Sequence, residues 1–244
     1  MKKFILAVLA VLPMLAIAAG PSMDLDKANN DLRDKESLKR GFEAYINNCL
    51  ACHELKYQRY NRTFADLGIS DADGMANYMY TGEKVGDHIT NTMPGKEAAK
   101  WFGSTPPDLT LEARFRSPDW IYTYLRSFYV DESRPFGVNN KVFPEVGMPH
   151  VLQPLQGTPT EMHEEVMVDG EMVEQYVGIK SDGTGSMSPD EYDQAVADIV
   201  NFLEYTGEPA KLDSHRIGKW VLIFIAVLFV FVYLLKKEYW REVH

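Results

Sequence analysis

Cys49-Leu50-Ala51-Cys52-His53 holds both cysteines of the 244-residue chain. Each thiol of such a pair can add across a haem vinyl group to give a thioether, and the adjacent imidazole then lies close enough to the iron to be its proximal ligand. With no further cysteine, neither a disulfide framework nor a four-thiolate cluster can be built. A zinc site wants two more Cys or His ligands at short spacing, and nearby residues offer none. A thioredoxin-like pair has no need of the histidine. The pattern points to one covalently attached haem c, bound through Cys49 and Cys52 with His53 on the iron.

Upstream, Ser37 to Asn48 reads as a helix leading into this motif, with Leu38, Phe42, Tyr45 and Ile46 on one face. The N-terminus reads as an export signal. Lys2 and Lys3 precede the apolar run Phe4 to Ile17, and Ala16-Ile17-Ala18 offers a cleavage site. The expectation is a leader at 1–18, too short for an anchor, and an exported domain at 19–212. At the other end, Trp220 to Leu235 is sixteen residues without a charge, about 24 Å of helix at 1.5 Å per residue. Flanking residues extend it over 217–239 to match a hydrocarbon core of ~30 Å, with Lys219 and Lys236 reaching outward. Lys236, Lys237 and Arg241 follow the span, so the tail 240–244 is expected in the cytoplasm and the haem domain on the periplasmic face of a bacterial inner membrane. A buried core helix would hardly be apolar on every face and end in a basic tail.

The chain carries a net charge of −10; setting aside +2 in the leader and +3 from Arg216 onward leaves −15 on the domain between. Such a surface repels nucleic acid and speeds encounter with a basic soluble partner. Acidic residues concentrate at Glu161, Glu164, Glu165, Asp169, Glu171 and Glu174, and again at Asp190, Glu191 and Asp193. For much of this charge, solubility alone is a sufficient reading.

Residues 54–116 carry scattered Gly, Pro, Asn and aromatic residues and read as irregular; a haem supplies apolar core enough to make long loops tolerable. Ser117-Pro118-Asp119 opens a helix with Ile121, Tyr124, Leu125 and Phe128 on its apolar face. A hairpin is expected over 163–179, turning at Asp169-Gly170. Ser188-Pro189-Asp190-Glu191 is a capping box for a helix ending near Gly207-Glu208-Pro209.

An electron-carrying iron needs a second axial ligand, and a thioether opposite an imidazole stabilises ferrous iron. Two methionines stand in rigid, non-helical surroundings: Met93 in Thr92-Met93-Pro94-Gly95 and Met148 in Val146-Gly147-Met148-Pro149-His150. Spacing does not separate them, and His150 is a third candidate.

These residues together resemble the cytochrome c1 family. Arg40-Gly41, Tyr45 and the Cys49–His53 motif are similar to its haem-attachment segment. Pro106-Pro107-Asp108-Leu109, followed by Arg114-Phe115-Arg116, is similar to a second family segment, and Gly147-Met148-Pro149 to its axial-ligand loop. The resemblance runs over most of residues 37–240. It implies a mainly α, class I cytochrome c-like haem domain with loop and hairpin insertions, plus one C-terminal transmembrane helix. It implies Met148 as sixth ligand, Pro107 packed on the haem edge, and Arg116 or Arg114 paired with a haem propionate. At one position the chain departs from the family: Trp120 stands where an aromatic hydroxyl is often found.

The implied function is that of a one-electron carrier subunit, not catalytic on its own. It would take electrons from a Rieske iron–sulfur protein and pass them to a cytochrome c, in a membrane complex with cytochrome b. Two other readings compete: an anchored monohaem carrier serving a terminal oxidase or denitrification enzyme, and an open-site haem sensor or peroxidase.

Overall fold

The computed structural model describes residues 24–168 and 171–242. The leader expected at 1–18, the turn expected at Asp169-Gly170, and the last two residues lie outside them. Two helices cross at the centre. Helix α1 (Lys35–Asn48) opens where the Asp34 side chain accepts a hydrogen bond from the Ser37 amide, and it buries Leu38, Phe42, Tyr45 and Ile46. That face is the one its apolar spacing predicts. It packs against α8 (Pro189–Gly207), which starts at the expected capping box of Ser188 and Glu191.

The crossing is close because Gly41 lies in it: a Cβ there would overlap the Asp198 carbonyl oxygen. Phe202 of α8 fills the space beside it, its ring 5.2 Å from Phe42 and 5.8 Å from Tyr45. Asp198 itself is buried, and its two carboxylate oxygens accept from Arg40 Nε (2.6 Å) and Nη2 (3.0 Å). A buried carboxylate is tolerated only when paired in this way.

Residues 54–116 are not the irregular stretch expected from their composition. They hold β1 (Leu55–Arg59), α2 (Tyr60–Leu67), α3 (Asp71–Asn77), β2 (His88–Ile89), α4 (Gly95–Phe102) and α5 (Glu112–Arg116). These elements are short, and helices of seven or eight residues are stabilised by packing and capping, not by propensity. Tyr60, Phe64 and Leu67 turn one face of α2 into the core, and Gly68 ends that helix at φ 73°. The Ser70 hydroxyl accepts from the Asp73 amide to start α3, whose Gly74 lies against the Phe64 ring with no room for a Cβ.

Next come α6 (Pro118–Arg126), β3 (Phe128–Val130), β4 (Val138–Asn140), α7 (Gln153–Gln156), β5 (Pro159–Val168) and β6 (Glu171–Ser181). The strands pair only as two-stranded antiparallel ladders, β1 with β2, β3 with β4 and β5 with β6. The hairpin expected over 163–179 is therefore present and longer at both ends. A register shift separates the Met162–Gly178 pair from the His163–Tyr176 pair. Ser117 caps α6 as its sequence predicts, its hydroxyl accepting from the Trp120 amide at 3.2 Å. The segment before α1 straps over α6: Asp26 accepts from Arg126 at 2.6 Å, and the Ala28 amide donates to Asp119.

Beyond α8 a single helix, α9 (Lys211–Tyr239), stands clear of the domain. Its 29 residues span about 44 Å, long and apolar enough to cross a membrane. The described residues are thus mainly helical, with loop and hairpin insertions and one C-terminal helix of membrane-spanning length and apolarity.

The Gly41 crossing has a direct consequence. Gly41→Ala must push α1 away from α8, a change of the overpacking kind worth on the order of 1–3 kcal/mol. Thermal unfolding of the haem-loaded protein should show a clearly lowered midpoint; an unchanged midpoint contradicts the close crossing.

Candidate haem site

The motif sits where α1 gives out. The Cys49 amide still donates to Tyr45 O (2.8 Å), and the amides of Cys52 and His53 fold back onto Cys49 O at 3.0 and 2.8 Å. This turn presents both thiols and the imidazole to one apolar cavity of about 320 Å³. No disulfide joins the two cysteines. Loss of solvation pushes the two thiols up, Cys49 to about 12 with the neighbouring Cys52 adding to it.

His53 is buried, and its Nδ1 lies 2.8 Å from the Pro107 carbonyl oxygen. A carbonyl can only accept, so Nδ1 carries the proton and Nε2 keeps its lone pair for a metal. Burial lowers the imidazole's pKa, against the smaller opposing effect of that hydrogen bond. A neutral ring is the ligating form. Pro107 is held in turn. Leu109 N donates to Glu54 O (2.8 Å), and the Asp108 carboxylate accepts from the Lys56 amide (2.7 Å) and the Thr110 amide (3.1 Å). The stretch after His53 and the Pro106–Thr110 stretch are thus laced side by side. The Tyr45 hydroxyl adds a bond to His53 O at 2.6 Å.

The 141–149 loop forms another wall, with Val146, Gly147, Met148 and Pro149 lining the cavity. Two asparagines at the end of β4 hold it. Asn140 Oδ1 accepts from the amides of Val142 (3.0 Å) and Phe143 (3.1 Å), and Asn139 Oδ1 from the Glu145 amide (2.8 Å). Gly147 passes so close to α4 that a Cβ would stand 2.5 Å from Phe102 O. Of the three ligand candidates, Met148 lines the cavity, whereas Met93 and His150 do not. His150 is turned into the core, stacked on Phe128 at 4.8 Å, with Nε2 2.7 Å from Gln156 Oε1.

The two arginines also part. Arg116 lines the cavity, its guanidinium 4.4 Å from the centre of the Trp120 ring and its Nε donating to Glu112 at 3.0 Å. Among the described residues its Nη groups take no hydrogen bond, so they are free to meet a carboxylate. Arg114 is exposed and packs by its stem beside Gly207, outside the cavity. Pro107 lines it.

Several lining residues were not read from sequence as parts of the site: Glu112, Phe143 and, from α8, Ile199 and Leu203. Tyr124 was legible only as one apolar position on α6, yet its hydroxyl donates to Met148 Sδ at 3.3 Å. The spacing Trp120–Tyr124, one helical turn in a capped helix, is the signal that could have found the pair.

Two thiols on one side, an imidazole with its Nε2 free, a thioether on another wall and apolar side chains between make a donor set that suits a covalently attached haem. Comparison with known proteins agrees. Residues 27–243 match the Cytochrome C1 family. Cytochrome c1 of Allochromatium vinosum is 50% identical over the full length of both chains. A protein of Nitrosomonas europaea named ammonia monooxygenase gamma subunit is 42% identical over 100% of this chain and 99% of its own. The mitochondrial cytochrome c1 of Neurospora crassa is 30% identical over 85% of this chain and 62% of its own. The chain belongs to the cytochrome c1 family, the membrane-anchored electron carriers of bc1-type complexes, and carries that family's single covalently bound haem c.

Proposed function

We propose that Cys49 and Cys52 form the thioethers to the haem, that His53 and Met148 are its axial ligands, and that the subunit relays single electrons from a Rieske iron–sulfur protein to a cytochrome c. When bound, the haem supplies the ferric/ferrous couple. The protein does the rest. Pro107 fixes the His53 tautomer, the asparagine-pinned loop aims the Met148 sulfur, and Ile121, Leu125, Ile199 and Leu203 keep the pocket dry. A dry pocket with a neutral His/Met pair favours the ferrous form and raises the potential. Arg116, backed by Glu112 and stacked on Trp120, supplies a charge-assisted partner for a propionate. The observation that carries this reading is the meeting of His53, with Nε2 free, and Met148 at one apolar cavity beside both cysteines.

The domain at 19–212 then works on the periplasmic face, with α9 holding it at the surface and Lys236, Lys237 and Arg241 on the cytoplasmic side. Anchoring raises the local concentration of its partners. Its acidic surface suits a basic cytochrome c as acceptor. The name of the Nitrosomonas relative favours keeping a second reading, a carrier of the same build serving a different membrane oxidoreductase.

Two experiments test these points. Met148→Leu should depress the reduction potential strongly and let carbon monoxide bind the native ferrous protein, whereas Met93→Leu should change neither; the reverse pattern would overturn the ligand assignment. Affinity purification of the full-length protein from its own membranes should bring down a cytochrome b and a Rieske protein in fixed proportion. Recovery with a different oxidoreductase and without these two supports the second reading.

A further inference from the structure

We propose that Tyr124 is a positioning residue for the Met148 sulfur, and that its hydroxyl raises the reduction potential of the site and holds the ligand in place. This rests on the reading of Met148 as an axial ligand. The phenol oxygen lies 3.3 Å from Met148 Sδ. It reaches into an apolar cavity, where a hydroxyl without a partner is costly, and among the described residues that sulfur is the only acceptor it meets.

The ring has little freedom. Trp120 stacks on it at 5.1 Å with an angle of 9° between the planes, and Phe128 meets it edge-on at 5.2 Å. Asn140 links the two partners. Its Nδ2 donates to the Tyr124 carbonyl (2.8 Å), while its Oδ1 holds the amides of Val142 and Phe143 in the loop that carries Met148. The helix end that carries the hydroxyl and the loop that carries the sulfur are therefore tied to the same side chain.

The electronic consequence follows from the sulfur's valence. A thioether has two lone pairs. One can face a metal while the other accepts the hydroxyl proton, which stays on its oxygen in both redox states. Drawing density from the sulfur makes it a poorer donor. That weakens its hold on ferric iron more than on ferrous iron, so the reduced state gains. The steric consequence is separate. Methionine has three rotatable bonds, and a fixed donor on the sulfur selects one of the resulting orientations and opposes displacement by another ligand.

Tyr124→Phe keeps the ring and both aromatic contacts and removes only the donor. In the full-length haem-loaded protein, redox titration should give a lower midpoint. The constant for one-electron reduction should fall about threefold or more, which is about 28 mV at 59 mV per tenfold. Exogenous imidazole should bind the ferric form more tightly, while the charge-transfer band of methionine-ligated ferric haem persists. A midpoint and an imidazole affinity equal to wild type overturn the proposal. A purely structural role is separated by the thermal midpoint: loss of stability with an unchanged potential also overturns it. Should Met148→Leu leave the charge-transfer band intact, the ligand assignment itself fails, a result distinct from failure of the Tyr124 role.

Discussion

The hydrogen bond from His53 Nδ1 to the Pro107 carbonyl, 2.8 Å long, is the constraint on which the site depends. An imidazole free to rotate or to exchange tautomers could offer either nitrogen to a metal. Here one nitrogen is committed to the backbone, and the other is left as a bare lone pair at the cavity. The commitment is only as firm as Pro107, which explains the lacing of the Glu54–Lys56 stretch to Asp108, Leu109 and Thr110. Proline suits the position, since its ring restricts the backbone and removes a donor that would otherwise need a partner at the cavity edge.

A second rigid unit answers the first from the other side. The loop bearing Met148 has no regular structure of its own, so its amides must find partners elsewhere. Asn139 and Asn140 supply them, and the Gly147 backbone closes on Phe102 without space for a side chain. The cavity is thus bounded by two elements whose shapes are set by hydrogen bonds. Between them, α8 lines the cavity with the apolar side chains of Ile199 and Leu203 and packs against α1. Their approach is permitted by Gly41 and locked by the Arg40–Asp198 pair. Preorganisation of this kind lets an iron change valence with little rearrangement of its surroundings.

What was legible in the sequence divides along a physical line. Local chemistry could be read directly: the Cys49–His53 spacing, the Ser188–Glu191 capping box, the Ser117 cap and the uncharged run from Trp220. Each is decided by residues within a few positions of one another. The resemblance to the family extended this to Met148, which spacing could not separate from Met93. In the structure Met148 lines the cavity, His150 is stacked on Phe128, and Met93 is not among the lining residues. Two kinds of feature stayed hidden. Helices α2 and α3 are too short for a periodic signal to outweigh their Gly and Asn content, and they meet where Gly74 lies against the Phe64 ring. The contact of Tyr124 with Met148 joins residues 24 positions apart through a loop whose path is set by two asparagine side chains. The same limit applied to the arginines: Arg114 and Arg116 are equivalent in composition, but a helix two residues further round brings only Arg116 to the cavity.

The central claim is a haem joined to this polypeptide at its only two cysteines. Proteolysis of the protein purified from its native membranes, followed by mass measurement of the peptide spanning Cys49 to His53, tests it most directly. The account predicts a peptide carrying one haem by two thioether bonds and absorbing visible light. A colourless peptide with the mass of its bare amino acids would contradict it.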